Sequence, residues 1–280
     1  MKKWNTRIII RVVSSCMLFV CILYIADYNY KSYLNQHKQQ SLSTMRKEHT
    51  GRLKYIEKKT YDNIESINKS DNTSEGYIMH NPEMILPEFI DIYEKNSDFI
   101  GWIRIPDTII DYPVMQGEDN EYYLNHDFYG DKSKHGSLFL DCKSDVLLPS
   151  TNLIVYGHNM KDGSMFSALR NYKDQSFYEK HKYISFHTIY EKSKYEIVSV
   201  FLSKVYLKSE DVFKYYQFVQ ASNEEEYDAF YNNIKELSLY DTKKEAQYGD
   251  TFLTLSTCDY TTDNGRLVVV AKKIQPKVQE

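Results

Sequence analysis

The chain has 280 residues, of which 42% are hydrophobic and 26% are charged, enough for one packed domain with additional segments. Its net charge of -4 is unevenly distributed, because residues 1–60 contain 12 Lys/Arg and 3 Asp/Glu whereas the rest contains 23 and 36. The acidic body argues against nucleic-acid binding, which requires a basic face for phosphate contacts.

The first predicted element is a membrane anchor. Residues 8–26 form a largely apolar run interrupted by Arg11, with a length close to the ~20 residues that a spanning helix needs. Basic residues precede the run, so the N-terminus is expected in the cytoplasm and the body outside the cell. A cleaved signal peptide is the alternative, but the run is not followed by a clear small-x-small cleavage site. Residues 1–28 are therefore interpreted as a cytoplasmic tip and a transmembrane signal-anchor.

A stalk and a linker are predicted next, over residues 29–82. Residues 29–67 are polar and contain no Pro, and their apolar residues recur at loosely helical intervals. This pattern predicts an extracellular helical stalk, with a flexible tether as the alternative. Residues 68–82 are rich in turn formers and indicate a linker.

The body, residues 83–280, is predicted to be mainly β. A short amphipathic helix is expected over 83–96, and two further helices over 164–171 and 224–238. Many short β-prone runs between turn residues favour a closed barrel or a sandwich. The predicted strands are 101–105, 108–114, 137–141, 152–156, 183–187, 193–203, 251–257 and 267–272.

Four cysteines are present, and two of them lie in the apolar N-terminal run. Only Cys142 and Cys258 remain for the body, so the chain is not a disulfide scaffold. A bridge between these two stays open on sequence alone. Cys258 ends the predicted strand 251–257, however, and the polar residues after it favour a reactive thiol over a buried structural cysteine.

Two further residues are candidates for chemistry with this thiol. Arg266 opens the next predicted strand, so pairing of the two strands would place its guanidinium beside Cys258, where it favours the thiolate and can bind an oxyanion. His158 follows the strand 152–156, and an imidazole there can exchange protons with a thiol and a leaving amine. Taken singly, spacing alone favours a surface arginine at position 266, and a lone histidine is more often structural.

Together, these segments resemble the sortase family, and class B in particular. The resemblance lies in Leu255-Ser256-Thr257-Cys258, in Arg266 and in the Gly157-His158-Asn159 segment. It extends in the same order to residues 101–105, 110–114, 122–128 and 136–141, and covers about residues 83–275.

The resemblance implies an eight-stranded sortase β-barrel with an N-terminal helix and a helix inserted in the loop before the cysteine strand. It implies a cell-surface transpeptidase that cuts a C-terminal sorting motif of secreted proteins after Thr, in an NPxTx-like sequence. A thioacyl intermediate would then pass to a peptidoglycan amine. Cys258 would be the nucleophile, His158 the acid/base and Arg266 the oxyanion stabiliser, with no cofactor or metal.

Substrate contacts are expected from Ser256, Thr257 and Asp259 beside the nucleophile, and from Asn125 and Asp127 in a polar segment nearby. The pocket residues that select the motif are expected on the helix 224–238 and its flanks, although its aromatic residues can equally pack against the barrel. A purely hydrolytic extracellular cysteine peptidase, a pilin-polymerising sortase and a non-enzymatic anchored binding module remain alternatives.

Overall fold

The computed structural model describes residues 6–67 and 85–275. The predicted linker 68–82 lies outside the described residues. The helices are α1 (Thr6–Ile67), α2 (Ile90–Tyr93), α3 (Gln175–Lys180) and α4 (Glu224–Glu236). The strands are β1 (Phe99–Arg104), β2 (Asp111–Met115), β3 (Leu138–Leu140), β4 (Asn152–Tyr156), β5 (Tyr183–Thr188), β6 (Lys192–Lys204), β7 (Phe252–Cys258) and β8 (Gly265–Lys273).

Helix α1 is continuous over 62 residues and includes both the apolar run and the polar stretch 29–67. By length and composition, its part beginning at Ile8 could cross a membrane, and its most apolar window has a mean hydropathy of 2.5. The chain divides into two compact units, Met1–Ser41 and Leu42–Glu280.

The second unit is built around a closed barrel with the strand order β1-β2-β3-β4-β7-β8-β6-β5. The predicted mainly β, eight-stranded barrel is therefore confirmed. Most neighbouring strands are antiparallel, but β2 pairs with β3 and β4 pairs with β7 in parallel. Closure leaves no free edge on the sheet, which removes the usual site of edge-to-edge aggregation.

Alternation of side chains along β7 and β8 divides the core into two layers. Leu253, Leu255 and Val269 point into the barrel, whereas Phe252 and Val268 point outward under α4. The apolar face of α4 buries Tyr227, Phe230 and Ile234 against that outer layer. The inserted helix thus covers the outside of the sheet, as an amphipathic helix must to bury its apolar stripe.

Some predicted boundaries differ from the structure. The helix predicted at 83–96 is reduced to a 3-10 turn, Pro87–Phe89, followed by the single turn α2. The helix predicted at 164–171 is a 3-10 segment, Phe166–Lys173, and helix α3 after it was not predicted. Asp174 explains the interruption, because its side chain caps α3 by accepting a hydrogen bond of 2.8 Å from the Ser176 N–H.

Candidate active site

The end of β7 and the start of β8 bring the first two candidate residues together. The strands are antiparallel and their register pairs Cys258 directly with Arg266. Residues directly opposite each other in such a pair project to the same face of the sheet. The thiol and the guanidinium therefore share one face at one end of the barrel.

His158 reaches the same end because β4 runs parallel to β7. Tyr156 is the register partner of Ser256, and the Gly157 N–H donates to the Ser256 carbonyl at 3.2 Å, so pairing continues past the strand. A Cβ on Gly157 would lie 2.3 Å from Leu138 Cδ2, so a side chain has no room there. Position 157 therefore requires glycine, and the residue after it, His158, lies at the same end of the barrel as Cys258 and Arg266.

The ring of His158 has a defined orientation. Its Nε2 lies 2.8 Å from the carbonyl oxygen of Leu124, which can only accept a hydrogen bond. The hydrogen is therefore on Nε2, and in the neutral ring Nδ1 is the basic nitrogen.

All three candidate catalytic residues line one pocket of about 250 Å³. The lining is mostly apolar, with a few polar groups that converge on the thiol, as is typical of ligand sites. The other lining residues are Asn120, Leu124, Phe139, Tyr156, Gly157, Val205, Tyr215, Tyr216, Ser256 and Thr257.

Ser256 and Thr257 line this pocket, but their hydroxyls already have partners inside the protein. The Thr257 hydroxyl donates to the Gly157 carbonyl at 2.7 Å, which fixes the segment before His158. Ser256 Oγ lies 2.7 Å from the hydroxyl of Tyr215. Burial raises the pKa of Tyr215 to about 12, so this phenol stays protonated at neutral pH.

The other three predicted substrate-binding residues are not among the lining residues of the pocket. Asp127 is buried, and its carboxylate accepts hydrogen bonds from the N–H groups of Tyr129 and Asp131 at 2.9 and 3.1 Å. Asn125 lies in the same turn region, where its N–H donates to the Tyr122 carbonyl. The buried Asp259 carboxylate is paired with Lys173. A substrate contact for Asp259, Asn125 or Asp127 stays a prediction.

Several pocket residues were not foreseen from the sequence. Asn120 and Leu124 come from the segment before β3, and Val205, Tyr215 and Tyr216 come from the long segment between β6 and α4. These last three lie in the expected insertion, but among the described residues α4 itself contributes none to the lining. Cys142 and Cys258 are both free thiols, so the two are not bridged to each other.

Comparisons with known proteins agree with this geometry. The family model described as Sortase domain matches residues 103–274. The chain is 35% identical over 189 residues to Sortase B of Listeria monocytogenes, covering 67% of this chain and 74% of that protein. It is also 35% identical over 198 residues to Sortase B of Staphylococcus aureus, covering 69% and 77%.

Solved structures give the same result. A Staphylococcus aureus sortase B–substrate complex superposes with a TM-score of 0.70 at 27% identity, covering 88% of this chain and 99% of that chain. Sortase B from Bacillus anthracis in complex with AAEK2 superposes with a TM-score of 0.67 at 30% identity, covering 88% and 98%.

Proposed function

Because this chain belongs to the sortase family of cysteine transpeptidases, with sortase B proteins as its relatives, we propose that it cleaves an NPxTx-like C-terminal sorting motif of secreted proteins after Thr and joins the new end to a peptidoglycan amine. The observation that supports this best is the direct pairing of Cys258 with Arg266 in a pocket that also contains His158. A nucleophile, a proton carrier and a fixed cation are the groups that acyl transfer requires.

In the proposed first half-reaction, the sulfur of Cys258 attacks the threonine carbonyl carbon while His158 takes the thiol proton. The carbonyl oxygen becomes an oxyanion that accepts hydrogen bonds from Arg266. As the C–N bond breaks, His158 returns the proton to the departing amine. The acyl group is left on Cys258 as a thioester.

In the second half-reaction, an amine attacks the thioester carbon. His158 accepts the proton of this amine, and Arg266 again stabilises the oxyanion. Collapse breaks the C–S bond, forms the new amide and regenerates the Cys258 thiol. Water can replace the amine in the same geometry, which would give the hydrolytic peptidase as an alternative outcome.

The test uses the full-length chain in detergent micelles with a small library of NPxTx-type peptides, with and without an amine nucleophile. We expect mass spectrometry to show an acyl adduct on Cys258 that transfers to the amine, and Cys258→Ala should form no adduct. Free acid alone, insensitive to added amine, would support the hydrolytic peptidase instead. Absence of any adduct on a Cys258 that is readily alkylated would contradict the proposed substrate class.

We also propose that residues 8–26 anchor the protein in the cell membrane with the N-terminus inside and the catalytic domain outside. Support comes from the apolar stretch of α1 and from the basic residues that precede it. Protease treatment of intact cells should remove a C-terminal epitope tag. A tag that is protected until the cells are lysed would show the opposite topology.

A further inference from the structure

An ion pair with a buried carboxylate follows the proposed nucleophile directly in the chain. Asp259 follows Cys258 in the chain and is only 7% exposed. Its Oδ2 is in contact with the ammonium of Lys173, at the end of the 3-10 segment Phe166–Lys173. The pair joins the nucleophile strand to a separate segment that packs against the barrel.

The same carboxylate organises the turn that leads to Arg266. The hydroxyl of Thr261 donates to Asp259 Oδ1, and the Thr261 N–H donates to the same oxygen at 3.1 Å. The Asp259 N–H donates to the Gly265 carbonyl at 2.9 Å, and a Cβ on Gly265 would lie 2.4 Å from the Asp259 carbonyl oxygen. The turn is therefore closed tightly around Asp259, and Arg266 comes immediately after it.

The ionisation of Asp259 is set by its partners. Burial opposes its ionisation, but the hydrogen bonds from Lys173 and Thr261 outweigh this effect and hold the pKa of the carboxyl below its usual range. It is therefore ionised at neutral pH, and an unpaired anion next to Cys258 would disfavour the thiolate. Among the described residues, the other titratable or charged groups that line the pocket with the thiol or interact with it are Arg266, His158, Tyr156, Tyr215, Tyr216 and Tyr260.

We propose that Lys173 is a positioning residue of this active site. It neutralises the charge of Asp259, the residue next to Cys258, and it fixes the turn that presents Arg266 to the pocket. The inference rests on the proposed role of Cys258 as nucleophile, and it assigns to Lys173 a part in catalysis without any contact with the substrate.

The test compares Lys173→Met with Lys244→Met in the full-length chain in detergent micelles. The control pair Lys244–Glu196 is matched in exposure, with side chains 38% and 13% exposed against 33% and 8% for Lys173–Asp259, and it lies outside the pocket lining. Alkylation of Cys258 by iodoacetamide is measured as a function of pH. Peptide mass spectrometry distinguishes the alkylation of Cys258 from that of the other cysteines.

Lys173→Met should move the pH midpoint of Cys258 alkylation upward by about one unit. The reason is that an uncompensated charge on a neighbouring residue shifts the ionisation of a nearby group by that order. It should also lower kcat for transfer about tenfold with little change in KM. Lys244→Met should leave both unchanged. Adding Asp259→Asn to Lys173→Met removes the unpaired charge, and the midpoint should return to that of the unmodified protein.

A Lys173→Met protein that matches Lys244→Met would overturn the inference, as would a midpoint that the double variant does not restore. If Lys173→Met does not fold, the test rests on the double variant. The inference requires that this variant folds and that its Cys258 is alkylated with the same pH midpoint as in the unmodified protein. The alkylation measurement does not depend on a substrate peptide.

A protein that transfers no peptide but shows the predicted changes in the alkylation midpoint therefore contradicts the proposed function while supporting this inference.

Discussion

At the residue scale, the guanidinium of Arg266 is held by two backbone carbonyls. Its NH1 donates to the carbonyls of Gly265 and Asn264 at 2.9 and 3.3 Å, which anchors the guanidinium at the turn before β8. A guanidinium offers a planar fork of donors, whereas an ammonium is a compact point charge on a flexible stem. A lysine at this position would keep the charge and lose the anchored geometry.

Arg266→Lys should therefore reduce kcat about a hundredfold, the usual cost of losing one oxyanion donor, with a smaller change in KM. The measurement is steady-state transfer with the peptide identified by the adduct assay. Arg170→Lys, at an exposed arginine of the 3-10 segment, serves as the control. Near-normal turnover in Arg266→Lys would remove the oxyanion role assigned to this residue.

The three candidate catalytic residues could be selected from sequence because each lies next to a recognisable β-prone run. Cys258 ends such a run, His158 follows one and Arg266 opens one. The family resemblance predicts that the three meet, and the pairing of β7 with β4 and β8 brings them to one end of the barrel. Tyr215 and Asn120 could not be selected in this way. They lie outside the strands, on segments whose path is set by packing, and a hydroxyl or amide there has no local pattern to mark it.

At the element scale, a contact between two largely buried side chains, His135 and Asp162, stabilises the loop that follows His158. His135 Nε2 lies 2.7 Å from Asp162 Oδ2, and the two side chains are 5% and 11% exposed. The other oxygen of Asp162 accepts from the N–H and the hydroxyl of Ser164, at 3.0 and 2.6 Å. Gly136, next to His135, packs so closely on Leu124 that a Cβ would lie 2.7 Å from its carbonyl oxygen.

His135→Ala should thus loosen both the loop after His158 and the carbonyl that orients its ring. We expect a loss of about 2 kcal/mol in the free energy of unfolding, the usual cost of leaving a buried polar group without its partner. We also expect a fall in kcat that exceeds any rise in KM. The measurements are thermal melts and steady-state kinetics.

The control is His181→Ala. His181 follows the last residue of α3, and its ring hydrogen-bonds the carbonyl of Phe177 in that helix at 2.9 Å. If His135→Ala lowers the melting temperature but leaves kcat at the level of this control, the pair contributes only stability.

Elements that show at least one full period of their hydrophobic pattern were easier to predict than those that do not. Strand β4 has the predicted bounds, and α4 begins at the predicted residue, because a run of buried β-formers and an amphipathic period are both local signals. Helix α3 was missed because its six residues, Gln175–Lys180, are too few to establish a period. Its only strong signal is the cap at Asp174.

At the scale of the whole molecule, the later part of α1 belongs to the same compact unit as the barrel. Arg46 NH2 lies 3.0 Å from Asp111 Oδ1, and its guanidinium stacks 4.4 Å from the centre of the Trp102 ring. The indole N–H of Trp102 donates to the same carboxylate oxygen at 2.6 Å. Leu42, one turn earlier on the helix, is fully buried in the adjoining cluster. These contacts attach the part of α1 after Ser41 to strands β1 and β2.

Arg46→Ala should lower the free energy of unfolding by about 1–2 kcal/mol, since it removes a partly buried ion pair and a cation–π contact. For a domain of this size, that corresponds to a fall of about 3–6 °C in the melting temperature. Lys47→Ala, at the exposed neighbouring position, is the control. Equal melting temperatures for the two variants would show that the contact does not stabilise the domain.

The parallel pairing of β4 with β7 has a consequence for how the domain acquires activity. Gly157 and Thr257 share a hydrogen bond although they are 100 positions apart, and Arg266 lies on the last strand of the barrel. Contacts between such distant parts of a chain form late in folding, because they require closure of a long loop. A chain made from its N-terminus completes His158 long before Cys258 or Arg266 exists. Cys258 therefore comes together with His158 and Arg266 only when the barrel closes, so that an unfinished chain lacks the assembled site.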